Sequence, residues 1–193
     1  MRIIVLDPGV VIDDSTIIGF GLDRSGLAAG EQQSATRLFM RYDGDIDIDR
    51  LAETTSGIER SVYGPAETLD ALAAALPAAI RARLRFEAVE VGDTVALPDG
   101  MATALPADRG DEPAIGWLVE GPWRALAISG DDGQCAAFWH WASNAPSLTD
   151  VICPQITPDA LALLPPNAHI WLPPNSAGSY PIAAIKAGMT LEL

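Results

Sequence analysis

Residues 114–133 read Ala114-Ile115-Gly116-Trp117-Leu118-Val119-Glu120, then Gly121-Pro122-Trp123, then Arg124-Ala125-Leu126-Ala127-Ile128-Ser129-Gly130-Asp131-Asp132-Gly133. Two apolar runs parted by a Gly-Pro turn signal read as two strands, Ala114–Glu120 and Arg124–Ser129. The second runs into Gly-Asp-Asp-Gly, a composition that suits a turn whatever else it does. Downstream, Gln134–Ser143 reads as an aromatic-rich helix, Asp150–Cys153 as a strand, Pro158–Leu164 as a helix and His169–Leu172 as a strand. Ile182–Ala187 reads as a short helix and Thr190–Leu193 as a closing strand. Upstream, Leu84–Val91, Thr94–Leu97 and Met101–Leu105 read as strands joined by Gly, Pro and Asp turns.

The first half has the same organisation. Arg2–Leu6, Val10–Ile12, Ile17–Gly21 and Thr36–Tyr42 are β-rich, and a polar, Gly/Ala-rich stretch over 23–35 reads as a loop. The acidic run Asp43–Asp49 follows, then a short helix over Arg50–Ser56, a strand at Val62–Gly64 and a helical stretch Pro65–Leu84. Pro65 stands near the start of that stretch, and Pro77 breaks or kinks it. Several strands followed by strand–helix alternation, in each half, implies two sheets with helices outside them. No linker divides the chain, so residues 1–193 read as one domain.

Bulk composition narrows the function classes. The chain has 193 residues, 49% hydrophobic, with a formal net charge of −14. Its length supports a sizeable core. Its charge repels phosphate backbones and anionic lipid heads, so neither nucleic acid nor a membrane surface is an expected partner. The longest apolar run, Ala71–Ile80, is too short to span a bilayer, and the N-terminus reads as a strand and not as a signal peptide. Cys135 and Cys153 match no zinc motif and read as buried free thiols, which points to the cytoplasm. Phe138, Trp139 and Trp141 read as packing material. Ser129, Ser143 and Ser147 lack a nucleophile elbow, no Gly-rich phosphate cradle is present, and no basic stripe stands out.

The strand ending in Ser129-Gly130-Asp131-Asp132-Gly133 resembles the metallo-β-lactamase superfamily, in which Ser-Gly-Asp-Thr-Gly delivers an aspartate that bridges two metals. Val62–Leu72 (VYGPAETLDAL), Ala102–Pro106 (ATALP) and Phe138–Cys153 (FWHWASNAPSLTDVIC) are most similar to its class II cyclic-nucleotide phosphodiesterase branch. The resemblance covers roughly residues 36–193 and implies an α/β fold, the αββα four-layer sandwich.

It also implies a set of ligand positions, and most of them are altered. The family's Thr-His-x-His-x-Asp-His signature aligns with Tyr42-Asp43-Gly44-Asp45-Ile46-Asp47-Ile48. Asp43 and Asp45 stand for the first two histidines, Asp47 keeps the aspartate and Ile48 replaces the last histidine. The next histidine, after an ALPAN-type stretch, is Arg109 here. Asp131 keeps the bridging aspartate, and Pro174 takes the place of the final histidine. The only histidines, His140 and His169, lie elsewhere.

A hydrolytic dinuclear site needs neutral imidazoles that leave the metal Lewis-acidic, so that it can lower the pKa of a bridging water. Isoleucine and proline offer no donor, and arginine stays protonated. The expectation is therefore a vestigial site of Asp43, Asp45, Asp47, Arg109 and Asp131, with no catalytic residue and no cofactor. Arg109 is expected to neutralise one or more of Asp43, Asp45 and Asp131 in place of the metal charge. The implied function is a pseudoenzyme that binds a protein partner or small ligand, regulates an active relative, or serves in a homo-oligomer. The alternative is a metal-dependent phosphodiesterase or other hydrolase, holding a divalent cation such as Mg²⁺ or Ca²⁺ on Asp43, Asp45, Asp47 and Asp131.

Overall fold

The structure, a computed structural model, describes residues 2–5, 10–12, 16–18, 35–43, 45–46, 48–55, 57–130, 134–154, 156–171 and 190–192. The chain forms two compact units, one built on Arg2–Glu90 and Ala187–Leu191, the other chiefly on Val91–Lys186.

The first unit holds a seven-stranded sheet in the order β13-β1-β2-β3-β4-β5-β6. Its strands are β1 (Arg2–Val5), β2 (Val10–Ile12), β3 (Thr16–Ile18), β4 (Arg37–Phe39), β5 (Arg60–Gly64), β6 (Leu84–Ala88) and β13 (Thr190–Glu192). β1, β2 and β3 pair antiparallel through short connections, and β3 to β6 pair parallel. Parallel neighbours need crossovers, and helices supply two of them. Helix α1 (Ile48–Thr54) lies between β4 and β5, and α2 (Ala66–Ala75) and α3 (Ala78–Arg81) lie between β5 and β6. Leu69, Leu72 and Leu76 recur at helical spacing and pack on Leu38, Met40, Val62 and Leu84 of the sheet. Pro77 separates α2 from α3: the preceding Leu76 turns extended, at ψ 141°, as a residue before proline prefers.

The second unit repeats the scheme with six strands in the order β12-β11-β10-β9-β8-β7. They are β7 (Thr94–Leu97), β8 (Gly100–Pro106), β9 (Ile115–Glu120), β10 (Ala125–Ile128), β11 (Leu148–Ile152) and β12 (His169–Trp171). β7 to β10 form an antiparallel meander, and β10, β11 and β12 are parallel. Helices α4 (Ala136–Ser143) and α5 (Pro158–Leu163) make the crossovers. Thr157 caps α5: its hydroxyl accepts the Ala160 N–H at 3.1 Å, with Pro158 opening the first turn. Phe138 and Trp139 are buried in the core with Leu118, Ala127, Val151 and Cys153, so both aromatics are packing residues as expected. Trp141 is exposed instead, on the far side of α4. The helix expected over Ile182–Ala187 lies outside the described residues, and so does most of the loop over 23–35. Among the described residues no helix is long and apolar enough to cross a membrane.

Two features lock the second sheet. Asp150 is fully buried on β11 and accepts hydrogen bonds from Arg124 Nη2 at 2.9 Å, Thr149 Oγ1 at 2.7 Å and Trp171 Nε1 at 2.9 Å. One carboxylate thus ties the entry to β10 and the strands β11 and β12 together, with His169 Nδ1 3.5 Å away. The other feature is a close approach at the end of β10. A Cβ on Gly130 would lie 1.9 Å from the Ile115 carbonyl oxygen, and one on Gly116 would lie 2.8 Å from both the Ile128 carbonyl oxygen and the Phe138 ring. Packing against β9 is therefore enough to require glycine at position 130.

Gly130→Ala forces backbone apart where no flexible side chain can yield. It is expected to cost about 3 kcal/mol or more, the upper end for overpacking, measured by urea denaturation against the wild type. A loss below about 1 kcal/mol contradicts this close packing.

Candidate functional site

The loop that leaves the carboxyl end of β4 carries the residues aligned with the signature, and three of its side chains, Asp45, Ile46 and Ile48, are held by the first unit. Ile46 is buried in the core of the first unit, and Ile48, the first residue of α1, packs against that core. An isoleucine at position 48 anchors the helix start. It also moves the helix start forward from the expected Arg50.

Asp45 is 3% exposed. A buried carboxylate needs a cation or several donors, and Arg41 supplies both. The Arg41 guanidinium forks onto it, Nη2 to Oδ1 at 2.7 Å and Nε to Oδ2 at 3.1 Å, and the Arg41 backbone N–H donates to Oδ2 at 2.8 Å. The Asp45 N–H returns to the Tyr42 carbonyl at 3.2 Å, which closes the turn. Arg41 also stacks over the Tyr42 ring, 5.3 Å from its centroid, a distance at which the ring face attracts a cation. Burial disfavours the Arg41 cation, yet the attraction and hydrogen bonds of Asp45 outweigh that penalty and hold the guanidinium above its ordinary pKa. Asp43, two residues before Asp45, is exposed.

Arg109 sits in a separate small turn after β8. Arg109 and Glu112 form an antiparallel bridge around Gly110, which adopts φ 71°, and the Asp108 carboxylate accepts the Gly110 N–H at 3.0 Å. Arg109 Nε pairs with Glu112 at 3.2 Å, with both side chains partly in solvent. Asp47, Asp131 and Pro174 lie outside the described residues. Ser129 and Gly130, which lead to Asp131, are buried.

At the positions that the resemblance assigns, the residues do not fit a dinuclear transition-metal centre. Ile48, Arg109 and Pro174 bring no donor, and Asp45 already holds a guanidinium on both oxygens. A metal at Asp45 would have to displace Arg41 and leave that cation buried. The arginine that satisfies Asp45 therefore lies four residues before it in the same loop. The sequence signal was local, an Arg-x-x-x-Asp spacing hidden inside an acidic run. His140 is an exposed helix residue, and His169 is exposed beside Asp150.

No family model matches the chain, and no curated protein matches it. Solved structures do. The metallo-β-lactamase fold protein YhfI from Bacillus subtilis has a TM-score of 0.70 at 8% identity, over 98% of this chain and 97% of that one. A possible metal-dependent hydrolase from Veillonella parvula has a TM-score of 0.70 at 9% identity, over 100% and 98%. The short form of human tRNase Z has a TM-score of 0.65 at 15% identity, over 100% and 99%. Identities this low show the fold alone. The chain has the metallo-β-lactamase fold, an α/β architecture with mixed sheets and helices, and the likeness does not single out a phosphodiesterase branch.

Arg41→Ala strands a buried carboxylate, so a loss of about 3–5 kcal/mol is expected in chemical denaturation. Replacing both partners with apolar residues, Arg41→Met with Asp45→Leu, is expected to recover most of it. Arg109→Ala removes an exposed pair and is expected to cost only about 0–1 kcal/mol. An Arg41→Ala loss no larger than that of Arg109→Ala contradicts the assignment of Arg41 as the buried countercharge.

Proposed function

We propose that this chain is a non-catalytic metallo-β-lactamase-fold protein, one domain that binds a small ligand or a protein partner or regulates an active relative. The observation that carries the reading is the bidentate Arg41–Asp45 pair, which puts a guanidinium on the carboxylate that stands for the second signature histidine. Metal-site chemistry needs ligands whose charge is free to meet the metal, and this loop spends its buried carboxylate on an internal cation. The reading draws further support from the sequence, where isoleucine, arginine and proline replace three imidazoles. In this view Asp43, Asp47 and Asp131 are remnants with no catalytic role, and Arg109 serves a surface turn. The net charge of −14 argues against nucleic acid as the partner.

Protein purified from cells grown with supplementary Zn²⁺, Mn²⁺ and Fe²⁺ is expected to carry less than one equivalent of transition metal by elemental analysis. It is also expected to leave bis-p-nitrophenyl phosphate intact. Two bound metals per chain, or hydrolysis abolished by Asp131→Ala, overturns the proposal and restores the hydrolase reading.

A further inference from the structure

A second polar site lies at the amino ends of β4, β5 and β6, the opposite end of those strands from the Asp45 loop. There a cavity of about 540 Å³ is lined by Arg37, Arg60, Arg83 and Arg85, together with Ser61 and Tyr63. Four of the chain's 12 lysines and arginines thus face one cavity, against two lining glutamates, Glu59 and Glu87. That is a local excess of two positive charges on a chain of net −14.

Strand register builds the arrangement. Arg37, Ser61 and Arg85 are direct cross-strand partners, so the Ser61 hydroxyl is flanked by an arginine on each neighbouring strand. Strands about 4.8 Å apart put the two arginine backbones roughly 10 Å from each other, a gap their long side chains can close around a ligand. Backbone bonds fix the frame: Ser61 N–H to the Thr36 carbonyl at 2.9 Å and Arg60 N–H to the Arg83 carbonyl at 3.0 Å. Among the described residues the Arg37 and Arg83 side chains form no ion pair. Among the described residues Arg85 pairs with Glu87, at 3.3 Å on an exposed side chain, and such a pair is readily exchanged. Arg60 is buried, and burial pushes its pKa down.

We infer that this arginine-lined cavity binds a small molecule through a phosphoryl or diphosphoryl group. Several guanidinium forks exceed what one carboxylate can accept. A phosphate ester or diphosphate offers more terminal oxygens and more charge in the geometry arginine matches. The volume falls within the range of small-ligand sites and leaves room beyond the phosphate, beside Tyr63. The inference is independent of whether the Asp45 loop holds a metal.

The test is calorimetric titration of the purified chain with inorganic pyrophosphate and, separately, inorganic phosphate at low ionic strength. Pyrophosphate is expected to bind once per chain and more tightly than phosphate. The double variant Arg37→Ala with Arg85→Ala is expected to weaken it at least tenfold. Arg81→Ala, an exposed arginine that does not line the cavity, is expected to leave it unchanged. In the wild type, amide resonances of Ser61, Tyr63 and Arg85 are expected to shift during the same titration, which locates the site even if a variant is unstable. No saturable binding, binding indifferent to the double variant, shifts confined to other residues, or tighter binding of a single-stranded oligonucleotide than of pyrophosphate each overturns the inference.

Discussion

A carboxylate sealed from water must meet a positive charge, and at Asp45 that charge comes from within its own loop. Three donors from Arg41, two on the side chain and one on the backbone, saturate the face that would otherwise turn to a ligand. The pair closes the turn after β4, sets Ile46 into the core and delivers Ile48 to the start of α1. In a metal-binding loop a metal would do this organising work. Here the Arg41 guanidinium occupies both oxygens of the buried carboxylate.

In the second unit, packing and pairing likewise account for Gly130 and Asp150. The Ser129-Gly130 turn is held by the approach of β9, where only glycine fits against the Ile115 carbonyl. Asp150, buried between three donors, spends its charge on joining strands. Each of these is a sufficient structural reason for a residue that would look functional in isolation.

Much of the architecture was legible in the sequence because hydrophobic period and turn chemistry agree along the chain. The break at Pro77, the strands flanking Gly121-Pro122 and the helix opening at Pro158 all follow from local rules. Less was legible at the candidate site, where the decisive partner was a matter of reach. Sequence placed Arg109 as the countercharge to one or more of Asp43, Asp45 and Asp131; at Asp45 the guanidinium is that of Arg41, through an i,i+4 fork, while Asp131 lies outside the described residues. The arginine-lined cavity was hidden for the opposite reason. Its members are spread from Arg37 to Arg85 and meet only through parallel register, and the spacing Arg83-x-Arg85 was the one local trace of it. Trp141 was misplaced because an aromatic run on a short helix cannot all face inward.

The account stands on Arg41 holding Asp45 in preference to a metal. The most direct measurement is anomalous diffraction from crystals of the protein soaked in Zn²⁺ or Mn²⁺. Arg41 is expected to remain forked onto the Asp45 carboxylate, with no anomalous peak beside it. A peak at about 2.2 Å from an Asp45 oxygen, with the Arg41 side chain turned away, would contradict it.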